Sequence, residues 1–304
     1  MNHFPLVSVI IPTYNNAQYV LSSIDSVLKQ NYPNIEVIVV DDGSTDNTQN
    51  ILFNFDERVK YIYQQNLGPA AARNKGILFA KGKYIAFNDA DDLWAENRIF
   101  TQVAFMERQQ TYLACCGVDV WVKESFTLTD SPSITPTASV TLIESSTGWQ
   151  YLTLLRGIPY HIINLMLTKE LAESISFDET LKCGEDYDYW IQISQKTQIA
   201  HIDQVFGFYR QRKGSITSTP RLQNDKLRLI DAAIEKYGIS DKTGKTLSKK
   251  ELNIIYYHIH FCHGYELFNN KLYRESRNSF INAIRYNSRR KGPYKYLIKS
   301  IYHL

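Results

Sequence analysis

"IEVIVVDDGSTDNT", residues 35–48, is a short apolar run that breaks off in two aspartates, a glycine and a string of small polar residues. Near-continuous apolarity over so few positions reads as a strand covered on both faces, as in a parallel sheet. The "GST" that follows is a turn, and Thr45 or Asp46 is the expected N-cap of a helix over 46–55. The pattern repeats on both sides. "VSVII" (7–11), "VKYIY" (59–63) and "YIAF" (84–87) read as further strands. Residues 17–30 put Val20, Ile24, Val27 and Leu28 on one helical face. Residues 69–80 open on Pro69 and stop just before Gly82, the usual asymmetry of helix ends. Strand and helix alternate, so the first ninety residues predict an α/β fold with a doubly wound, mostly parallel sheet flanked by helices.

Further on the pattern changes. Residues 125–148 are rich in Ser, Thr and Pro and predict an irregular loop or lid. "WQYLTLLRG", "IINLMLT" and "YDYWIQISQK" predict helix, strand and helix between 149 and 200. After "RKGSITSTP" (212–220) the pattern is helical throughout, which predicts a catalytic domain over 1–218 and a helical extension over 219–304. Within that extension 256–287 has the small and aromatic spacing of one tetratricopeptide-type helix pair. One such pair cannot bury its own face, so it is expected to pack on the main domain.

The bulk composition narrows the function classes. At 304 residues, 44% hydrophobic and 21% charged, the chain is globular and not disordered. A net charge of +3 gives no electrostatic footprint for nucleic acid. The 21 tyrosines suit sugar stacking only slightly, since tyrosine-rich cores are commoner. Cys115, Cys116, Cys183 and Cys262 form no C-x-x-C pair and no disulfide framework, which predicts a reducing cytoplasm. "MNHFPLVSVII" lacks the basic and long apolar regions of a signal peptide, and no apolar run is long enough to span a bilayer. A peripheral place on the inner face of the cytoplasmic membrane stays open.

In open α/β sheets, ligands sit outside the carboxyl ends of the strands. Three polar clusters fall there: "PTYNN" after the first strand, "DDGSTD" after the second and "NDADD" after the fourth. Taken singly, each reads as a capped helix or polar turn; three together on one sheet edge point to a site. No G-x-G-x-x-G or P-loop occurs, which argues against a classical dinucleotide or P-loop site. An EF-hand starting at Asp89 fails, because Leu93 and Trp94 occupy its fifth and sixth positions. Crowded carboxylates at Asp89, Asp91 and Asp92 repel one another and need a counter-charge. A divalent cation held by two carboxylates and completed by phosphates and water would supply it, which suits Mg²⁺ or Mn²⁺. His258, His260, Cys262 and His263 fall on different helical faces and do not converge as zinc ligands.

With these motifs the sequence resembles the family 2 glycosyltransferases, whose fold is the nucleotide-diphospho-sugar transferase (GT-A) type. The matching segments are "VSVIIPTYNN", "VIVVDDGSTDNT", "NLGPAAARNKGI", "GKYIAFNDADD" and "FDETLKCGEDYDYWIQI", in the family's order over about residues 6–215. The resemblance implies that Pro12, Thr13, Tyr14 and Asn15 hold the base and ribose of the donor. It implies that Asp42, with Asp41, accepts the N3–H of a uracil or thymine ring, and that Arg73 faces the nucleotide. Asp89 and Asp91 match the D-x-D pair, Asp89 towards ribose and metal and Asp91 on the metal. Asp186, beside Glu185, matches the catalytic base, although an acid pair also suits any helix N-terminus. Two departures stand out. Arg212 falls near a position where the family often has histidine, and either contacts the diphosphate or lies outside the chemistry. Asn88 replaces the apolar residue usual before the D-x-D pair.

The expected activity is therefore inverting transfer of a sugar from a nucleotide-diphospho-sugar, UDP-linked, to a glycan or lipid-linked acceptor in bacterial surface polysaccharide synthesis. Metal supplies Lewis acidity for the leaving group and a separate carboxylate takes the acceptor proton. Two alternatives compete. A nucleotidyltransferase on a sugar phosphate needs a Gly-rich activating loop that "IPTYNN" lacks, and a non-catalytic binding module would be expected to lose one of the two acidic sites. Finally, residues 276–304 carry seven Lys and Arg, interleaved tyrosines and isoleucines, and no acid, which fits a solvated helix or an anionic membrane surface.

Overall fold

The structure, a computed structural model, describes residues 4–53, 55–110, 112, 114–122, 142–157, 160–211 and 220–302. The chain divides into two compact units, Met1–Gln150 with Pro159–Arg212 and Tyr151–Ile158 with Lys213–Leu304. Most of the Ser/Thr/Pro-rich segment and Arg212 lie outside the described residues. No helix among those residues is long and apolar enough to cross a membrane.

The first unit is built on β1 (Val7–Thr13), α1 (Val20–Leu28), β2 (Ile35–Asp41), α2 (Thr48–Leu52), β3 (Val59–Tyr63), α3 (Pro69–Phe79) and β4 (Tyr84–Phe87). All seven residues of β1 are buried, as a strand covered on both faces requires. β1 pairs in parallel with β2, Thr13 opposite Asp41, and with β4, Ile10 opposite Phe87. The chain therefore winds outward on both sides of β1, and the crevice beyond its end is the natural ligand position. Helix α2 is shorter than expected. Its N-cap is Asn47, yet Asp46 Oδ1 still accepts the Thr48 N–H at 2.9 Å, so the aspartate performs the capping from one position earlier.

Helix α3 lies unusually close to the sheet. Ala70, Ala71 and Ala72 are buried, and a Cβ on Gly76 would come within 2.3 Å of Ile10 Cγ2. This small-residue face lets the helix settle low enough for Arg73 to point into the interior.

The sheet continues through β5 (Leu93–Trp94), α4 (Arg98–Gln109), β6 (Ala114–Val122), α5 (Tyr151–Leu155), β7 (Met166–Thr168), α6 (Lys169–Glu173), α7 (Glu185–Lys196) and β8 (Ile199–Arg210). Its order is β3-β2-β1-β4-β7-β6-β8-β5, with β7 antiparallel to β4 and β6, and β6 parallel to β8. The predicted "IINLMLT" strand is reduced to β7, preceded by a short 3₁₀ turn at Ile162–Asn164. Buried Arg98 joins that turn to α4. Its guanidinium lies 3.6 Å from the Trp94 ring centre and donates to Gln102 Oε1 and to the Ile163 and Leu165 carbonyls.

The second unit combines α5 with α8 (Asp225–Tyr237), α9 (Lys249–Asn269), α10 (Tyr273–Tyr286) and α11 (Lys291–Tyr302). Tyr151 of α5 donates its hydroxyl to the Ala233 and Gly238 carbonyls at the end of α8. Ser248 and Glu251 form a full capping box at the start of α9. α9 and α10 meet closely, since a Cβ on Gly264 would stand 2.9 Å from the Phe280 ring. The pair does not leave its aromatic face open: Tyr296 of α11 contacts Phe261, Phe268 and Phe280. His263 is engaged with Ser279 Oγ and the Arg221 carbonyl, and His260 stacks on Tyr286.

Candidate active site

The polar clusters at the ends of β1 and β2 are latched to each other. Asn15 adopts a left-handed φ of 51° and its Oδ1 accepts the N–H groups of Thr45 and Asp46, at 2.7 and 3.2 Å. Asn15 N–H donates to Ser44 Oγ, and Ala17 N–H donates to Asp46 Oδ2. Pro12 and Thr13 stay buried in β1, whereas Tyr14 is 45% exposed and leaves a ring free for stacking.

Asp41 and Asp42 are both buried, and the chain itself uses their oxygens. Asp41 accepts from Ser44 N–H and from the Tyr61 hydroxyl at 2.7 Å; burial, and then this bond to Asp41, raise the Tyr61 pKa. Asp42 accepts from Gln64 Nε2 and from the Leu67 and Gly68 N–H groups, each at 2.7–2.8 Å. Asp42 thereby orders the turn at Gly68, where φ is +97° and α3 begins.

Arg73 is the pivot of the site. Its side chain is 5% exposed, and one amino group donates to Asp89 Oδ1 at 2.8 Å while the other donates to Glu185 Oε1 at 2.7 Å. A planar guanidinium suits this task because its donors point in fixed, divergent directions. The chain thus supplies, through Arg73, part of the counter-charge that the sequence reading expected from a metal–diphosphate unit. The resemblance implies that Arg73 faces the nucleotide; its guanidinium lies buried between the carboxylates of Asp89 and Glu185. Phe177, stacked at 3.9 Å on Tyr189, lies beneath the guanidinium.

Asn74, which sequence reasoning passed over, does the complementary work on the outside of α3. Its amide donates to the Phe177 carbonyl and to Glu179, and its oxygen accepts the Phe177 N–H, all at 2.9 Å. This fixes the segment that leads into Gly184, at φ +80°, and the start of α7. Glu185, Asp186 and Asp188 occupy the first turn of that helix, so the reading as a helix-terminus acid pair also holds. Asp186 is distinguished by its environment. Burial, followed by the charge of Glu185, pushes its pKa up to about 6.

The D-x-D loop is held from two sides. Ser23 Oγ donates to the Asp89 carbonyl, and Asn88 Nδ2 donates to Ser23 Oγ, which gives the unusual Asn88 a structural task. From β8, Arg210 Nε donates to the Asp91 carbonyl and Arg210 N–H to Asp92 Oδ1, both at 2.8 Å. Asp92 is buried, its pKa is raised well above the usual range by burial and then by Asp91 and Asp89, and its Oδ2 has no hydrogen-bond partner among the described residues. Among the described residues, Arg210 thus joins Arg73 in holding this loop; the register of β8 that brings it there leaves no local trace in sequence. Asp89 and Asp91 keep partial exposure, and among the described residues no group of three or more His, Cys, Asp or Glu is arranged to hold a metal.

The chain is similar in sequence and in fold to known proteins. The sequence profile described as glycosyl transferase family 2 matches residues 8–163 of the 304. The chain belongs to that family. Among the relatives of this chain, an uncharacterized glycosyltransferase of Rickettsia felis is 31% identical over 92% of this chain and 44% of its own length. The chain likewise spans only 29% and 34% of two further Rickettsia relatives. The Escherichia coli UDP-Glc:alpha-D-GlcNAc-diphosphoundecaprenol beta-1,3-glucosyltransferase WfaP is 32% identical over 70% of this chain and 80% of its own. The structure of Staphylococcus aureus TarS 1–349 in complex with UDP-GlcNAc superposes with a TM-score of 0.65 at 20% identity, covering 92% and 81% of the two chains. That likeness is one of fold, and it agrees with the GT-A architecture that the family resemblance implies and with the parallel sheet that the alternation of strands and helices predicts.

Proposed function

We propose that the chain is an inverting glycosyltransferase that moves a sugar from a UDP-linked donor to a hydroxyl of a glycan or lipid-linked acceptor. The observation that carries this reading is the Arg73 bridge. It joins Asp89, on the strand end expected to face the donor, to Glu185, beside the carboxylate expected to face the acceptor. A single displacement needs one carboxylate site on the donor side and a separate carboxylate to take the acceptor proton.

In this reading Asp186 takes the acceptor proton. With a pKa of about 6 it is largely ionised at neutral pH, yet basic enough to draw a proton from a hydroxyl as attack proceeds. The acceptor oxygen bonds to the anomeric carbon from the face opposite the diphosphate. The bond from that carbon to the diphosphate oxygen breaks, UDP leaves with the electron pair, and the configuration inverts. Arg73 and Asn74 hold the base-bearing helix start against the D-x-D loop, so that the reacting groups are aligned without reorganisation. Tyr14, on the loop latched by Asn15, would stack on the uracil.

Asp91 and Asp89 fit a hard divalent cation such as Mn²⁺ or Mg²⁺. Both are carboxylate donors with exposed surface, and such ions take one or two protein carboxylates and fill the remaining positions with phosphate and water. When bound, the cation would neutralise charge developing on the leaving diphosphate.

The names of WfaP, acting on a diphosphoundecaprenol-linked sugar, and TarS, bound to UDP-GlcNAc, support a UDP donor and a lipid-linked acceptor of bacterial glycan synthesis. The test is product analysis with UDP-glucose, UDP-galactose and UDP-N-acetylhexosamines. Acceptor-dependent release of UDP is expected. Release of pyrophosphate would assign a nucleotidyltransferase, and turnover of none of the donors would leave only a binding module.

A further inference from the structure

Helix α11 carries two opposed surfaces. Pro293 and Ser300 are buried and Tyr296 and Leu297 half-buried, the face by which the helix packs on its own unit. At 3.6 residues per turn these four lie in a sector about 100° wide. The opposite side is not polar. Tyr294, Ile298, Ile301 and Tyr302 are 40, 55, 50 and 83% exposed, and they share a second sector, also about 100° wide. Lys291, Lys295 and Lys299 run along one border of that strip, all exposed, with Lys295 and Lys299 flanking the Tyr296 ring at 5.7 and 5.9 Å. Residues 276–304 contain no Asp or Glu.

An exposed apolar stripe edged by lysines, on a helix whose other side is already buried, is the pattern of an element that lies in a membrane interface. Aromatic residues at the stripe's ends suit the headgroup level, and lysine stems reach from apolar surface to phosphate. The charge is of one sign, so the complementary surface is anionic. We propose that the outward face of α11 rests on an anionic lipid bilayer, with Ile298 and Ile301 inserted and the three lysines on lipid phosphates. This deepens the reading of a lipid-linked acceptor and rests on it for its biological sense, but its test does not depend on sugar transfer.

Point variants are preferred to removal of the helix, because Tyr296 contributes to the aromatic cluster with Phe261 and Phe280. The intact chain is sedimented with vesicles of phosphatidylcholine alone or mixed with phosphatidylglycerol. Binding is expected only to the anionic vesicles, with release as salt rises from about 0.1 to about 1 M and the screening length falls from about 10 to about 3 Å. Each lysine near an anionic surface is worth about fivefold in partitioning, so Lys291→Gln, Lys295→Gln and Lys299→Gln together should weaken binding about a hundredfold. Ile298→Ser with Ile301→Ser should weaken it at unchanged net charge. Circular dichroism and UDP affinity should match the parent in both variants. Absence of binding, equal binding to neutral vesicles, or binding untouched by both variants overturns the proposal. So does a concentration-dependent dimer that the serine variant abolishes, which would assign the face to a second copy. Failure of every form to bind UDP would count against the proposed function and leave the vesicle result standing.

Discussion

Replacing Arg73 by methionine removes one buried cation and leaves two carboxylates facing each other. Methionine keeps most of the volume of the side chain, so the loss is mainly electrostatic. Two short hydrogen bonds, 2.7 and 2.8 Å long, disappear from a side chain only 5% exposed. Hydrogen bonds to charged groups contribute about 1.5–3 kcal/mol each, and breaking a buried ion pair costs about 3–5 kcal/mol. The two routes agree on a loss near 4 kcal/mol. For a unit of about 200 residues this lowers the melting temperature by about 8–16 °C. A second effect separates this account from a generic core defect. The positive charge of Arg73 holds the Asp186 pKa down, while Glu185 and Asp89 hold it up. Without Arg73, the acid limb of the rate profile should move upward from about pH 6. Arg73→Lys restores a charge but not the divergent pair of donors, and should recover the pH profile more than the stability. The assays are thermal unfolding by calorimetry and kcat/KM for a UDP-sugar from pH 5 to 9. If Arg73→Met melts within about 1 °C of the parent with an unmoved acid limb, the bridge does not couple the two carboxylate sites.

Asp186→Asn keeps the shape but removes the base, so turnover should fall by about 10²–10⁴ with UDP affinity unchanged by calorimetry; a parallel loss of UDP binding would move Asp186 to the donor side. In the parent, kcat/KM should fall tenfold per pH unit below about pH 6, because protonation of Asp186 removes the base, and a flat profile down to pH 5 would exclude it as the titrating group. Asp91→Ala should abolish turnover and its stimulation by Mn²⁺ or Mg²⁺, whereas full activity of the parent in excess chelator would remove the cation from the chemistry.

How far the sequence foretold this molecule depends on the range of the interaction. Strands β3 and β4 begin and end where local apolar runs do, at Val59–Tyr63 and Tyr84–Phe87. The acids at strand ends were visible because a strand, its turn and its cap are contiguous in the chain. Arg73 and Glu185 are 112 positions apart, and nothing local shows that they meet. The same holds for Arg210, which reaches Asp92 only through the pairing of β8 with β5 and β6. Hydrophobic periodicity reports which face of an element is buried, not which distant element covers it. For that reason "ARN" was legible as a motif while its division of labour, Arg73 inward and Asn74 outward, was not. The recruitment of residues 151–158 to the helical unit was equally silent, since α5 has the same pattern whichever core it joins.

The eleven residues of α3 have a consequence for motion. The backbone N–H of Gly68, at the helix entrance, is bound by Asp42; Arg73 grips Asp89 and Glu185; Asn74 holds Phe177. Asp42, the Asp89 loop and the segment from Phe177 to Glu185 are each fastened to the first turns of one short rod. Loosening that rod would release all three together. Backbone amides of residues 67–68, 89–92 and 177–187 should therefore exchange with deuterium through a common opening event, with similar protection and a shared response to Asn74→Ala, although they lie far apart in the chain.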